Sequence, residues 1–410
     1  MTEKLLGAKN FIVVLSTIAI ASISPISNAG WIITSIGRIP GYLGSATGIN
    51  DLGQVVGYSF DHTTRFGSFH AFTTGPNGKD VSIPDILGGE STYISSINNS
   101  GQMVGSTSTD NRATQVFFFD AFITGANGIG ITRLEATDGA RLFPVAINDS
   151  GQVVGSSDDP RTGEDHAFIT GPNGAGLTYL ESPDGVPISV TGINNFGQVI
   201  GYSYPSNGPS YAFITGPNGV GFNYLESLVG STIMPRAVNN SGEIVGGFHT
   251  PGSPFHSFIT GINGIGFSSL VLPPEGSYGS YAYDINDLGD VVGVMHTEDL
   301  LSRSAFFYSQ GVTTNLSLLP SVIAGGWTDL NPRAINNFGQ IVGFGTNGSD
   351  QFPSPFLLTY VTEPLEQNPE MEIPLPEPGT LLLTSLGLLG FRFRHRKHRY
   401  LTKGRRSRQP

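Results

Sequence analysis

The chain has 410 residues, no cysteine and a formal net charge of −11. Nine Lys or Arg fall in residues 379 to 410, and two Lys with one Glu in residues 1 to 29, which leaves 10 basic and 31 acidic residues, a net of −21, for residues 30 to 378. Such a surface repels phosphate backbones and excludes a nucleic-acid binder, and the lack of cysteine means that packed apolar surface alone must hold the fold together.

The N-terminus carries Lys4 and Lys9, an uncharged apolar stretch over residues 11 to 21, and small residues ending Ser27-Asn28-Ala29. That order predicts a secretory signal over residues 1 to 29, cut after Ala29. The alternative, a permanent anchor, needs roughly 20 apolar residues to span a bilayer, and this stretch is too short.

From Asn50 onward one turn is spelled seven times. Asn50-Asp51-Leu52-Gly53-Gln54-Val55-Val56-Gly57 recurs with small changes at Asn98, Asn148, Asn194, Asn239, Asn286 and Asn336, at steps of 45 to 50 residues. A period of that length marks an array whose unit cannot bury its apolar face alone. Each unit shows short apolar pieces bounded by Gly, Asn, Asp and Pro, as in Ala146-Ile147, Gln152-Val153-Val154-Gly155, His166-Ala167-Phe168-Ile169-Thr170 and Leu177-Thr178-Tyr179-Leu180. These read as strands, and no stretch of the array keeps a helical period.

The turn glycines Gly53, Gly101, Gly151, Gly197, Gly242, Gly289 and Gly339 are expected at positive φ. Phe72, Phe122, Phe168, Phe213, Phe258, Phe306 and Phe356 recur in all seven units and are expected to fill the core between them. Four strands per unit of about 47 residues match a propeller blade. The seventh unit stops after its third strand, Pro355-Phe356-Leu357-Leu358, while Trp31-Ile32-Ile33-Thr34-Ser35-Ile36 resembles the missing fourth. The expectation is an all-β, seven-bladed β-propeller over residues 30 to 360, closed by an N-terminal strand joining the last blade, because an open array would leave edges exposed.

The third-strand triplet and the Asn-Asn/Asp-x-Gly-Gln turn resemble the HAF repeat, named for His-Ala-Phe and found in predicted bacterial extracellular proteins. His70, His166 and His256 keep the histidine, whereas Asp120, Tyr211, Ser304 and Ser354 replace it. A residue optional across equivalent sites reads as structural.

Residues 361 to 375 form a Pro- and Glu-rich linker. Behind it come Pro376-Glu377-Pro378, an apolar stretch over residues 379 to 391, and a basic tail that opens with Arg392, Arg394, Arg396 and Lys397 and runs on to Arg408. Residues 376 to 410 are similar to the PEP-CTERM sorting signal. The resemblance implies recognition by an exosortase, a membrane transpeptidase of Gram-negative bacteria that make exopolysaccharide. About 13 apolar residues backed by positive charge would halt in the inner membrane as a short transmembrane segment, the basic side staying cytoplasmic. The bulk of the chain would end at the cell surface or outside the cell.

No His-Glu-x-x-His motif, no phosphate-binding Gly-rich loop and no Gly-x-Ser-x-Gly elbow in a strand-to-helix context occurs. The six His of residues 30 to 378 are never paired at ligand spacing. Asp51, Asp149 and Asp287 offer oxygens of the kind Ca²⁺ takes, yet they alternate with Asn99, Asn195, Asn240 and Asn337, which turn chemistry explains equally. No cofactor is expected, Ca²⁺ being the one candidate. Phe60, Phe66, Tyr202, Tyr204 and Phe248 either stack on sugar rings or pack their own loops. The expected function is that of a non-enzymatic surface or biofilm-matrix scaffold, with the export machinery, an exosortase and exopolysaccharide or other surface proteins as partners. The alternative is an extracellular glycosidase or lyase with acids converging on a central channel, although the variable loops show no Arg cluster to clamp an acidic sugar.

Overall fold

A computed structural model describes residues 30–37, 43–61, 68–84, 86–87, 91–111, 116–158, 165–225, 231–270, 277–297, 303–348 and 352–362. The chain divides into two units, Met1–Glu363 and Pro364–Pro410. The second unit, which holds the sorting tripeptide, the apolar stretch and the basic tail, lies outside the described residues, as do the signal segment and the linker beyond Thr362.

Seven antiparallel sheets form the blades of a β-propeller. Blade 3 is typical, with strands Arg141–Ile147, Val153–Asp158, Asp165–Thr170 and Leu177–Leu180 paired in sequence order. Blade 7 consists of Trp327–Ile335, Ile341–Asn347 and Ser354–Val361, and its outermost strand is Gly30–Ser35 from the other end of the array. Gly30 pairs with Val361 and Ser35 with Phe356, so the ring closes as the incomplete seventh unit predicts.

Two details depart from the repeat. The fourth strand of blade 1 shrinks to a single bridge between Thr73 and Ser82. A five-residue helix, Pro320–Ala324, sits between blades 6 and 7, started by a proline at its first position. One turn of helix is too short to carry a readable period.

The core is not one cluster but seven, one for each interface between blades. Phe168 of blade 3 packs with Val104, Ala121 and Ile123 of blade 2, and Phe72 of blade 1 with Val342 and Leu357 of blade 7. All seven phenylalanines are at most 2% exposed, each contributing about 1.5 to 3 kcal/mol of apolar burial. The glycine that ends each Gln-Val-Val-Gly stretch is required by this packing. A Cβ on Gly155 would stand 2.2 Å from the Phe143 carbonyl oxygen and 2.9 Å from the Phe168 ring, because a bulge in the first strand brings the backbones together there.

The turn glycines all have φ between 71° and 80°. Turns joining first to second strands and third to fourth strands leave at one face, the turn face, where Gly174 N donates to Gly151 O at 2.9 Å. Second-to-third and fourth-to-first connections leave at the other, the loop face. The recurring motif and the variable segments are therefore separated by the depth of the ring.

Candidate functional site: the central channel

The first strands line the channel, and each delivers its turn asparagine to the turn-face end. Asn50 Nδ2 donates to Asn98 O at 3.0 Å, Asn98 to Asn148 O, and so on through Asn194, Asn239, Asn286 and Asn336, which donates back to Asn50 O at 3.0 Å. This is a closed ring of seven hydrogen bonds. The same Nδ2 also bonds the side chain four residues on, and Oδ1 accepts two backbone N–H groups of its own turn. Each asparagine thus needs an acceptor and a donor at once, which aspartate cannot supply.

One residue on, a second ring runs in the same sense. Asp51 N donates to Asn99 Oδ1, Asn99 N to Asp149 Oδ1, and the chain of bonds closes from Asn337 N to Asp51 Oδ1. Here only an acceptor is needed, so Asp and Asn both serve. Asp51, Asp149 and Asp287 each receive one backbone N–H and two Asn Nδ2 groups. The two rings line a polar cavity of about 170 Å³. Among the described residues, no group of three or more His, Cys, Asp or Glu is placed to hold a metal ion.

A third set of contacts ties neighbouring blades. Gln102, Gln152, Gln198 and Gln340 donate Nε2 to Asn173, Asn218, Asn263 and Asn77, the left-handed residues of the next blade's third-to-fourth turn. Blade 6 has a Gln310-Gly311 turn instead, and blade 7 has no such turn because its fourth strand is Gly30–Ser35. At those two junctions Gln is replaced by Glu243 and Asp290. The glutamine is present where its acceptor is present.

Three residues before each turn asparagine, at the first-strand bulge, stand Thr47, Ser95, Val145, Thr191, Arg236, Tyr283 and Arg333. The first four side chains are short, and the last three are long and adjacent around the ring. The Arg333 guanidinium carbon lies 4.8 Å from the Tyr283 ring centre and 5.3 Å from that of Phe344. The Arg236 carbon lies 5.7 Å from Tyr281 and 6.0 Å from Tyr283. Burial pushes the Tyr93 phenol up, aided by Tyr58 and opposed by the positive charge of Arg333. Burial also raises Tyr281, with Arg236 opposing it. The blade-2 phenol is therefore within the field of the blade-7 guanidinium.

Asp284, one residue beyond Tyr283, keeps part of its surface open but turns its carboxyl between blades 6 and 7. Its oxygens accept from Ile335 N at 2.8 Å and Ile285 N at 2.9 Å. Burial pushes its pKa up to about 7, against these two bonds, which favour the anion.

The sequence-singled histidines do not converge. His70, His166 and His256 lie on third strands of separate blades, half-buried, with His166 against the Tyr179 ring at 5.1 Å and His256 against Phe248 at 5.8 Å. His166 borders a cleft of about 520 Å³ between blades 3 and 4 with Asp165, Glu181 and Tyr204. Of the loop aromatics, Phe248 is buried against Phe267, Phe60 rests on Phe69, Tyr202 and Tyr204 are neighbours, and Phe66 lies outside the described residues. Sequence reasoning missed Arg236, Tyr283 and Arg333. It looked for arginines in loops, whereas these stand at one repeat position within strands.

The PEP-CTERM protein-sorting motif matches residues 374–397. No curated protein matches the chain by sequence. The fold is similar to an acylaminoacyl peptidase from Pyrococcus horikoshii, at 9% identity and TM-score 0.54, over 77% of this chain and 51% of that one. It is also similar to the β-propeller domain of the Trilobed protease from Pyrococcus furiosus, at 10% identity and TM-score 0.52, over 77% and 95%, a propeller described as having an open velcro topology. An oligogalacturonate lyase in complex with manganese matches at 9% identity and TM-score 0.50, over 82% and 94%. The chain spans about half the length of several of the peptidases it matches. At these identities the likeness is one of fold alone.

Proposed function

We propose that this chain is an exported, non-enzymatic propeller, sent to the cell surface or extracellular matrix by its C-terminal motif, where it acts as a rigid binding scaffold. The observation that carries this reading is the sorting motif at residues 374–397, which marks a protein destined for the surface. The ring supports it, because the residues shared by all seven units are engaged in turns, rings of hydrogen bonds and inter-blade packing. In this reading the units are HAF-type repeats, an exosortase processes the tail after transient insertion of residues 379 to 391, and the loop face meets exopolysaccharide or another surface protein. No helix among the described residues is long and apolar enough to cross a membrane, and residues 379 to 391 lie outside them.

The test is to incubate the secreted mature protein with exopolysaccharide and measure both co-sedimentation and polymer length. Binding without shortening supports the scaffold. Depolymerisation abolished by a single carboxylate substitution would replace it with a carbohydrate-active enzyme. Mass spectrometry of the mature chain tests the sorting step, which a product retaining Arg392 onward refutes.

A further inference from the structure

We propose that the loop-side half of the channel is a binding site for a carboxylate-bearing sugar, a uronic-acid unit, gripped by Arg236 and Arg333 on either side of Tyr283. The proposal deepens the scaffold reading and rests on it for the presence of polysaccharide.

The arginines differ in how their charges are paired. Five arginines are described. Arg133 pairs with Asp120 at 3.3 Å, Arg141 with Asp158, and Arg303 with Asp329 at 3.6 Å. Arg236 and Arg333 have no carboxylate partner among the described residues, in a region where acids outnumber bases 31 to 10. Two guanidiniums left within about 6 Å of one ring repel each other, and an anion between them relieves that repulsion.

The two unpaired guanidiniums are also preorganised. Both guanidiniums are laid on aromatic faces, so their planar forks are held in place before a ligand arrives. A fixed fork matches a planar carboxylate with two parallel hydrogen bonds. Substituting Lys at either position would lose that match.

The first strand of blade 2 adds an aromatic to the channel wall. Tyr93 is 37% exposed and packs on Tyr58 of blade 1, with ring centres 5.0 Å apart. An exposed aromatic ring on a channel-lining strand offers a platform for a sugar ring, whereas a bare inorganic anion has no use for one. The positive charge of Arg333 acts on the Tyr93 phenol, opposing its upward shift.

The channel is also polar along its axis. The Asp51, Asp149 and Asp287 ring lies four residues further along the strands, about 13 Å at the usual strand rise. An anion entering from the loop face meets two positive charges first and three negative ones beyond. It stops at the arginines, which selects a terminal or short segment and disfavours threading of a long polyanion.

The experiment is calorimetric titration of the mature protein with a uronic-acid trisaccharide, a neutral trisaccharide of the same length, and inorganic phosphate. The uronate should bind and lose affinity with added salt. Binding should fall about tenfold or more in Arg236→Gln and in Arg333→Gln, from loss of a charge-assisted pair, and stay unchanged in Arg133→Gln. Arg236 is exposed, so its variant carries the test if Arg333→Gln melts early. Equal binding of uronate and neutral sugar, binding of phosphate in place of uronate, or an Arg236→Gln variant that binds like the parent would overturn the site. A mature surface protein indifferent to uronates overturns this site alone, whereas a chain that never reaches the surface undercuts the scaffold reading itself.

Discussion

Asn98→Asp tests the closed asparagine ring most sharply, because it changes one donor into an acceptor and little else. Asn98 is 4% exposed. Its Oδ1 accepts from Ser100 N and Gln102 N at 3.1 and 2.9 Å, and its Nδ2 donates to Gln102 Oε1 and Asn148 O at 2.8 and 3.0 Å. Aspartate keeps the first pair but sets a second oxygen against two oxygens. The carboxyl escapes by taking a proton, which at pH 7 costs about 4 kcal/mol for a group with an unfolded pKa near 3.9. The protonated form then donates one bond and leaves one acceptor unmade, a further loss of about 1 to 3 kcal/mol. The sign follows from linkage. The folded pKa is raised above the unfolded one, so the proton term is absent below about pH 4 and grows as pH rises. Urea unfolding of parent and variant at pH 7 and pH 4 measures it. The expected deficit is about 5 to 7 kcal/mol at pH 7, enough to unfold the variant outright, and about 1 to 3 kcal/mol at pH 4. A deficit equal at the two pH values, or below about 1 kcal/mol at pH 7, would refute the ring as an energetic unit.

Three further outcomes are expected. Asn99→Asp places a third carboxylate between Asp51 and Asp149 and removes both Nδ2 bonds; the loss should be roughly 1 to 2 kcal/mol at low salt and shrink at high salt, and a salt-independent melting point would contradict the charge argument. Deleting residues 30 to 35 strips Trp31 from Phe307 and Tyr360 and bares the Ser354–Val361 edge, so the melting temperature should drop and concentration-dependent association appear; an unaltered monomeric melt would show that closure is dispensable. Asp284→Asn removes a carboxyl whose folded pKa, about 7, lies above the unfolded value, so the parent loses stability as pH rises from about 4 to 7, by up to about 4 kcal/mol. The amide keeps only one of the two acceptors that Ile285 N and Ile335 N use, so the variant should start below the parent near pH 4.5 and gain on it towards pH 8 in thermal melts, and parallel curves would reject the burial argument.

The scaffold was legible in the sequence because its requirements are local. A positive φ demands glycine at Gly53 and its six equivalents, and an inter-blade core demands phenylalanine at Phe72 and its equivalents, so both recur in register. Even ring closure could be read, since one strand missing at Phe356 and one spare at Trp31 are both visible in the linear chain. What could not be read is what depends on the ring being closed. The division of labour between Asn98 and Asn99 follows from contacts 50 residues apart, to Asn148 and Asp149. The meeting of Arg236 with Arg333 around Tyr283 spans 97 residues and occurs at a bulge, where strand alternation fails as a guide to which side a residue faces. Aligning the seven units on the turn and reading the position three residues earlier would have exposed it.

The composition of the second ring bears on what its acids do in the fold. A divalent-cation site gathers carboxylates together so that several oxygens meet one ion. In a ring of seven, at most three carboxylates can be placed with no two adjacent, and this ring has three, at Asp51, Asp149 and Asp287, each flanked on both sides by asparagine. Their oxygens are taken by asparagine Nδ2 and backbone N–H groups of the neighbouring blades. That spacing minimises repulsion and maximises charge-assisted bonds across blade interfaces. The acids at the turn face are engaged in stitching the ring together, and the two guanidiniums without a carboxylate partner among the described residues, Arg236 and Arg333, stand toward the loop face. Ligand chemistry is to be sought where the seven copies differ and where charge is unpaired, and the two criteria meet at Arg236 and Arg333, on either side of Tyr283.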